Sequence, residues 1–145
     1  MTSSSVVGQI TDRMVALLMN ATDAQDRVFD SRAAAVARDE TPCIAITPPK
    51  SEESKVFGSG VDEKTVVFTV EVLARGEPWR KVADPVVVDI HRLLMSDAEL
   101  LAMVVDMRSS GREWEDAEAD QTAGTDAVSY RLIYQTSSND LTTSI

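Results

Sequence analysis

The stretch KTVVFTVEVLAR, residues 64–75, decides the fold. Read with a period of two, it places Val66, Phe68, Val70, Val72 and Ala74 on one side and Val67, Thr69, Glu71 and Leu73 on the other. Such alternation is the signature of a strand. One side is purely apolar and must be buried, whereas the other is mixed, as expected of a central strand whose outer face is only partly covered. Gly76 and Pro78 close the strand.

Beyond it, Trp79, Val82, Val86, Ile90, Leu93 and Leu94 recur at helical spacing up to Met95. Pro85 leaves two readings: the helix begins at Asp84-Pro85, which suits an N-cap and first helical position, or its first turn is kinked. Ser96 or Asp97 could cap a further short turn through Leu100 and Leu101. Met103–Glu115 alternates loosely and Ala127–Gln135 cleanly, with Val128, Tyr130, Leu132 and Tyr134 on one face, so a strand pair is expected. Asp116–Asp126 between them is acidic and polar and reads as a second loop or a widened hairpin. The tail from about Ser137 lacks periodicity and is expected to fray.

Upstream, Lys50–Asp62 is polar and carries two glycines, Gly58 and Gly60, with an apolar pair, Val56 and Phe57. A long mobile loop is one reading and an exposed hairpin tip the other. Cys43–Thr47 is a short apolar run opened by Pro42 and ended by Pro48 and Pro49, and therefore a strand. Arg27–Asp30 reads as a short extended piece. Val7, Ile10, Met14, Leu17 and Leu18 form one face of an amphipathic helix. This order predicts an α+β domain spanning residues 1–145, one mixed or antiparallel sheet with helices mainly on one face. The expected core is Ile10, Met14, Leu17, Ile44, Phe68, Val70, Val72, Ile90, Leu94, Tyr130 and Leu132.

An apolar fraction of 43% and a charged fraction of 26% are those of ordinary globular chains. The net charge of −10, from 14 basic and 24 acidic residues, opposes binding to phosphate backbones, so no sequence-specific nucleic-acid partner is expected. No apolar run reaches the roughly 18 residues of a membrane span, and Met1–Gln9 lacks a signal-peptide layout. A cytoplasmic chain with no membrane partner is the expectation.

No constellation of reactive groups emerges. Cys43 is the single cysteine and reads as a small core residue; His91 is the single histidine and lacks the companions that zinc requires. The acidic group Glu113, Glu115, Asp116, Glu118 and Asp120 departs from the calcium-loop pattern and reads as a solvated strand end. Gly58-Ser59-Gly60 is no phosphate loop, and no GxSxG elbow occurs. Trp114 and Tyr130 are expected in packing roles. Neither an enzyme nor a cofactor is predicted.

The segments Phe29-Asp30-Ser31-Arg32, Pro42-Cys43-Ile44-Ala45-Ile46, Phe68-Thr69-Val70-Glu71-Val72, His91-Arg92-Leu93-Leu94-Met95-Ser96-Asp97 and Ser129-Tyr130-Arg131-Leu132-Ile133-Tyr134 come in a telling order. Together they resemble the lambda-type phage tail terminator family, minor tail protein U and its relatives, from about Val6 to Gln135. The resemblance implies a structural protein whose hexameric ring caps the tail tube, stops its polymerisation and presents the head-proximal joining surface. It also implies the tail tube protein and a head-completion or neck protein as partners, with DNA passing through the ring, and a place in the virion tail after assembly in the host cytoplasm. Val56, Phe57, Gly58 and Gly60 are the candidate contacts to a neighbouring subunit or the tube, because an apolar pair on a polar segment needs a surface to bury against. Another neck or tail-completion ring subunit, or a small-molecule-binding regulatory domain, is the alternative.

Overall fold

The computed structural model describes residues 4–31, 41–76, 78–117 and 120–145, with the side chains of residues 120 and 121 excepted. Helix α1 (Val6–Leu18) is followed by β1 (Val28–Phe29), β2 (Cys43–Thr47), β3 (Glu53–Gly58) and β4 (Val61–Arg75). Helices α2 (Trp79–Ser96) and α3 (Ala98–Ala102) and strands β5 (Asp106–Ala117), β6 (Asp120–Ser137) and β7 (Asp140–Ser144) complete the chain. The sheet runs β1-β2-β4-β6-β5, with β3 paired to β4 and β7 paired to β6. β1 and β2 are parallel and every other pairing is antiparallel, so the sheet is mixed and the helices pack on one side.

β4 is the spine. Its whole length pairs with β6, from Val61 opposite Ser137 to Arg75 opposite Ala123. Its other edge is shared by β3, on residues 61–65, and β2, on residues 69–73. Val66, Phe68, Val70, Val72 and Ala74 are all buried, as the alternation requires, against α1 and α2. Phe68 lies opposite Tyr130 and both are fully buried. Each large apolar side chain taken out of water there contributes about 1.5–3 kcal/mol.

Ten of the eleven expected core residues are buried; Leu17 is the exception. In α1 the buried line is Val6, Ile10, Met14 and Leu18, an i, i+4 ridge, and it turns the neighbouring Leu17 to the half-exposed flank. Ser5 caps α1 by accepting from the Gly8 amide at 3.2 Å. Asp97 caps α3 through the Leu100 amide at 2.9 Å and holds Arg13 of α1 with two bonds of 2.9 and 2.7 Å. That Arg13 fork, reinforced by the amide, draws the Asp97 carboxyl below its ordinary range.

Three open readings are resolved and one expectation, the fraying tail, is corrected. Of the two readings of Lys50–Asp62 the exposed hairpin tip holds and the loop does not: most of the segment is β3 and the turn to a β4 that begins at Val61. Asp116–Asp126 takes the hairpin reading, since β5 reaches Ala117 and β6 starts at Asp120. The tail does not fray, because β7 folds back on β6, and Gln9 of α1 donates to the Thr142 carbonyl at 2.6 Å. Helix α2 begins at Trp79 and runs through Pro85. An interior proline costs a helix about 3 kcal/mol, so tertiary packing must offset it; Trp79, Ala83, Val86 and Val87 are all buried around the proline.

Trp79 also explains Gly124. A Cβ at Gly124 would lie 2.3 Å from the indole and 2.6 Å from the Glu115 carbonyl oxygen, so only glycine lets the ring lie over β6.

Candidate assembly interface

The hairpin of β3 and the first residues of β4 carries Val56 and Phe57. Every residue of β3 is exposed, and Val56 and Phe57 retain 78% and 61% of their accessible surface, outside the core. Val56 pairs with Asp62 and Gly58 with Val61, leaving Phe57 as the extra residue of a bulge. The bulge interrupts the alternation, so the two apolar side chains stand at the tip. Gly60 turns the chain with φ +77, a left-handed conformation that favours glycine. Gly58 and Gly60 have open space around them.

This tip is braced by the β6–β7 turn. The Ser138 amide donates to the Gly60 carbonyl at 2.8 Å, and its hydroxyl lies 3.1 Å from Asp62 Oδ1. At the base, Tyr134 donates its phenolic hydrogen to Glu52, and Lys64 Nζ lies 3.7 Å from the other Glu52 oxygen. Lys64 and Tyr134 are cross-strand partners on the helix-side face, both buried. The even register of Lys64 with Val66 and Phe68 placed it on the apolar face in the sequence, a signal of a buried charge needing a partner. A cleft of about 330 Å³ opens beside them, lined by Val7, Pro49, Val66 and Leu141 among others.

Both tyrosines of the chain resist ionisation. Burial pushes Tyr130 up to about 12, against a small opposing effect of Arg112, and burial together with the bond to Glu52 pushes Tyr134 further up. A folded-state pKa raised above the unfolded value of about 10 favours the native state below that pH and loses this contribution as pH rises. Phenolate absorbance should therefore stay low at pH 10–11 and rise together with the loss of ellipticity. A smooth titration centred at pH 10 in the folded protein would contradict both environments.

The remaining residues singled out in the sequence do not converge. Cys43 is buried on the opposite side of the sheet with Ala45, and desolvation raises its thiol pKa, partly offset by Arg27, which makes it unreactive. His91 is an exposed residue of α2 whose Nδ1 lies 3.1 Å from the Tyr130 hydroxyl. Asp116 accepts from the Trp79 indole at 2.8 Å, while Glu113 and Glu115 are exposed; Glu118 and the side chain of Asp120 lie outside the described residues, as does Arg32. Among the described residues no group of three His, Cys, Asp or Glu side chains could hold a metal ion.

Sequence reading missed a clamp at the start of α2. Arg112 of β5 forks onto the fully buried Asp126 of β6 at 2.9 and 2.7 Å and reaches Asp84 of α2 at 2.9 Å. Its guanidinium lies over Trp114 at 4.8 Å, with Arg80 also within 5.4 Å of that ring. The sequence signal was Asp126 itself: it precedes Val128, Tyr130 and Leu132 on the buried face, where a carboxylate demands a cation. No family model and no curated protein matches the chain.

Proposed function

We propose that this chain is a structural subunit of a phage tail, a tail terminator whose ring caps the tube and forms the head-proximal joining surface. The observation that carries the reading is the β3–β4 tip, where Val56 and Phe57 are exposed on a hairpin braced at both base and turn. An apolar pair held out in water by its own fold is ready to bury against a partner, with less ordering entropy left for association to overcome. The resemblance in sequence order supplies the tail; the tip supplies a contact. A ring subunit makes heterologous contacts, so two different surfaces meet at each junction.

Immunogold labelling of phage particles on this protein tests the assignment. Signal confined to the head-proximal end of the tail is expected, and label elsewhere, or none on particles, would overturn it. The double variant Val56→Ser/Phe57→Ser should fold normally, with stability within about 0.5 kcal/mol of wild type, because both sites are exposed. Its tails should lose length control. Normal tail lengths from that variant would remove the tip from the interface.

A further inference from the structure

β3 pairs with β4 on one side, and among the described residues no strand covers its other side, so main-chain N–H and C=O groups there face water. It is an open edge. The register sets Glu53 opposite Thr65 and Lys55 opposite Glu63, on the odd-numbered residues of β4 and therefore on the face away from the core. Among the described residues none of Glu53, Lys55 and Glu63 has an ion-pair partner. Ser54, between the two β3 charges, shares the core-side face with Lys64, and Val56 follows on that face opposite Asp62.

A two-fold axis normal to the sheet and just outside an open edge sets a second copy of that edge beside the first, antiparallel, in the same plane and with faces kept. Opposed residues must share a face, so the axis passes a residue and not the gap between two. Beside Glu53 or Lys55 it would set like charges directly opposite, which destabilises a sheet, and beside Val56 it leaves both charges unmatched. Beside Ser54 the charges match: Glu53 of each copy lies opposite Lys55 of the other. The outer row then reads Glu63 and Lys55 of one copy, Glu53 and Thr65 of the other, with the signs alternating. Lys50 and Arg131, which line the outer cleft with Glu53, bring no further negative charge to it. On the core side Val56 comes opposite Glu52 of the other copy, whose carboxylate is already held by Tyr134 and Lys64. Beside that Glu52 opens the cleft of about 330 Å³ lined by Val7, Pro49 and Leu141, which offers Val56 an apolar wall.

We infer that the open edge of β3 docks a second copy of the chain, antiparallel about Ser54, so that one sheet runs through both copies. A protein of net charge −10 repels its own copies at long range, so the association depends on this local match of Glu53 with Lys55 and on main-chain pairing. The contact is isologous and closes at two copies, unlike the heterologous contact of a ring, and so goes beyond the tail-terminator reading. Where the tip is a ring contact, as that reading has it, the pair withholds Val56 and Phe57 from the ring.

Sedimentation equilibrium of the whole chain tests it, on wild type, Glu53→Lys, Lys55→Glu and an equimolar mixture of the two variants. Wild type is expected to dimerise, and to weaken as salt screens the paired charges. Each variant alone opposes like charges on both sides of the axis and should raise the dimer dissociation constant at least about tenfold. The mixture should restore association, because the two lysines of one chain then face the two glutamates of the other. Both sites are exposed, so native far-ultraviolet spectra are expected. Ser54→Cys gives a second readout that leaves the charges in place. Directly opposed residues hold their Cβ atoms about 4.5–5.5 Å apart, so mild oxidation should cross-link Ser54→Cys faster than Val56→Cys, while Cys43 stays buried. Monomeric wild type at every concentration, equal association of wild type and either charge variant, no recovery in the mixture, or equal cross-linking of the two cysteine variants each overturns the proposal. None of these results moves the gold label on phage tails, which tests the terminator reading separately.

Discussion

Val70→Asp should abolish the native state. Val70 is 1% exposed, lies on the central strand and pairs with Ile46 on one side and Val128 on the other. The substitution forfeits about 1.5–3 kcal/mol of apolar burial and forces either an unpaired carboxylate or its protonated form into the core, at several kcal/mol more. Against a typical total of about 5–15 kcal/mol, that leaves little or nothing. The control is three residues away on the opposite face: Val67 is 45% exposed, so Val67→Asp should remain folded. Circular dichroism and urea denaturation of the two variants read the outcome. Native-like Val70→Asp would refute the assignment of faces on β4.

Arg112→Leu is expected to cost about 3–5 kcal/mol, the range for breaking a buried pair by removing one member. The reason is Asp126, fully buried and held by both prongs of the guanidinium. Those hydrogen bonds, Asp126 first and Asp84 after it, also raise the Arg112 pKa, so the cation persists at any pH at which the protein folds. Loss of the side chain further removes the tie from the β5–β6 ribbon to α2 and the cation over Trp114. Replacing both partners should behave differently, since no uncompensated charge then remains. Arg112→Leu/Asp126→Leu is expected to recover most of the loss. Urea unfolding of the single and double variants decides this, and a single variant within about 1 kcal/mol of wild type would show the pair to be dispensable.

The sequence by itself determined the elements that bury one side. Val66 to Ala74 fixed β4, Val128 to Tyr134 fixed much of β6, and the helical spacings of Val7 to Leu18 and Trp79 to Met95 located α1 and α2. In each, the solvent boundary runs along the element and prints its period into the residue types. It also marked Val56 and Phe57 as an apolar pair in polar surroundings. Only the tertiary structure decided that their segment is a hairpin and that Ser138 braces its turn. β3, β7 and the outer ends of β5 and β6 are ordered largely by main-chain pairing, which leaves no alternating pattern when the side chains face water. The same holds for the ties between distant residues, Arg13 with Asp97 and Lys64 with Glu52. Sequence spacing predicts neighbours within one helix or strand; which strands lie side by side, and hence which charges meet, is set by how the whole sheet closes over its core.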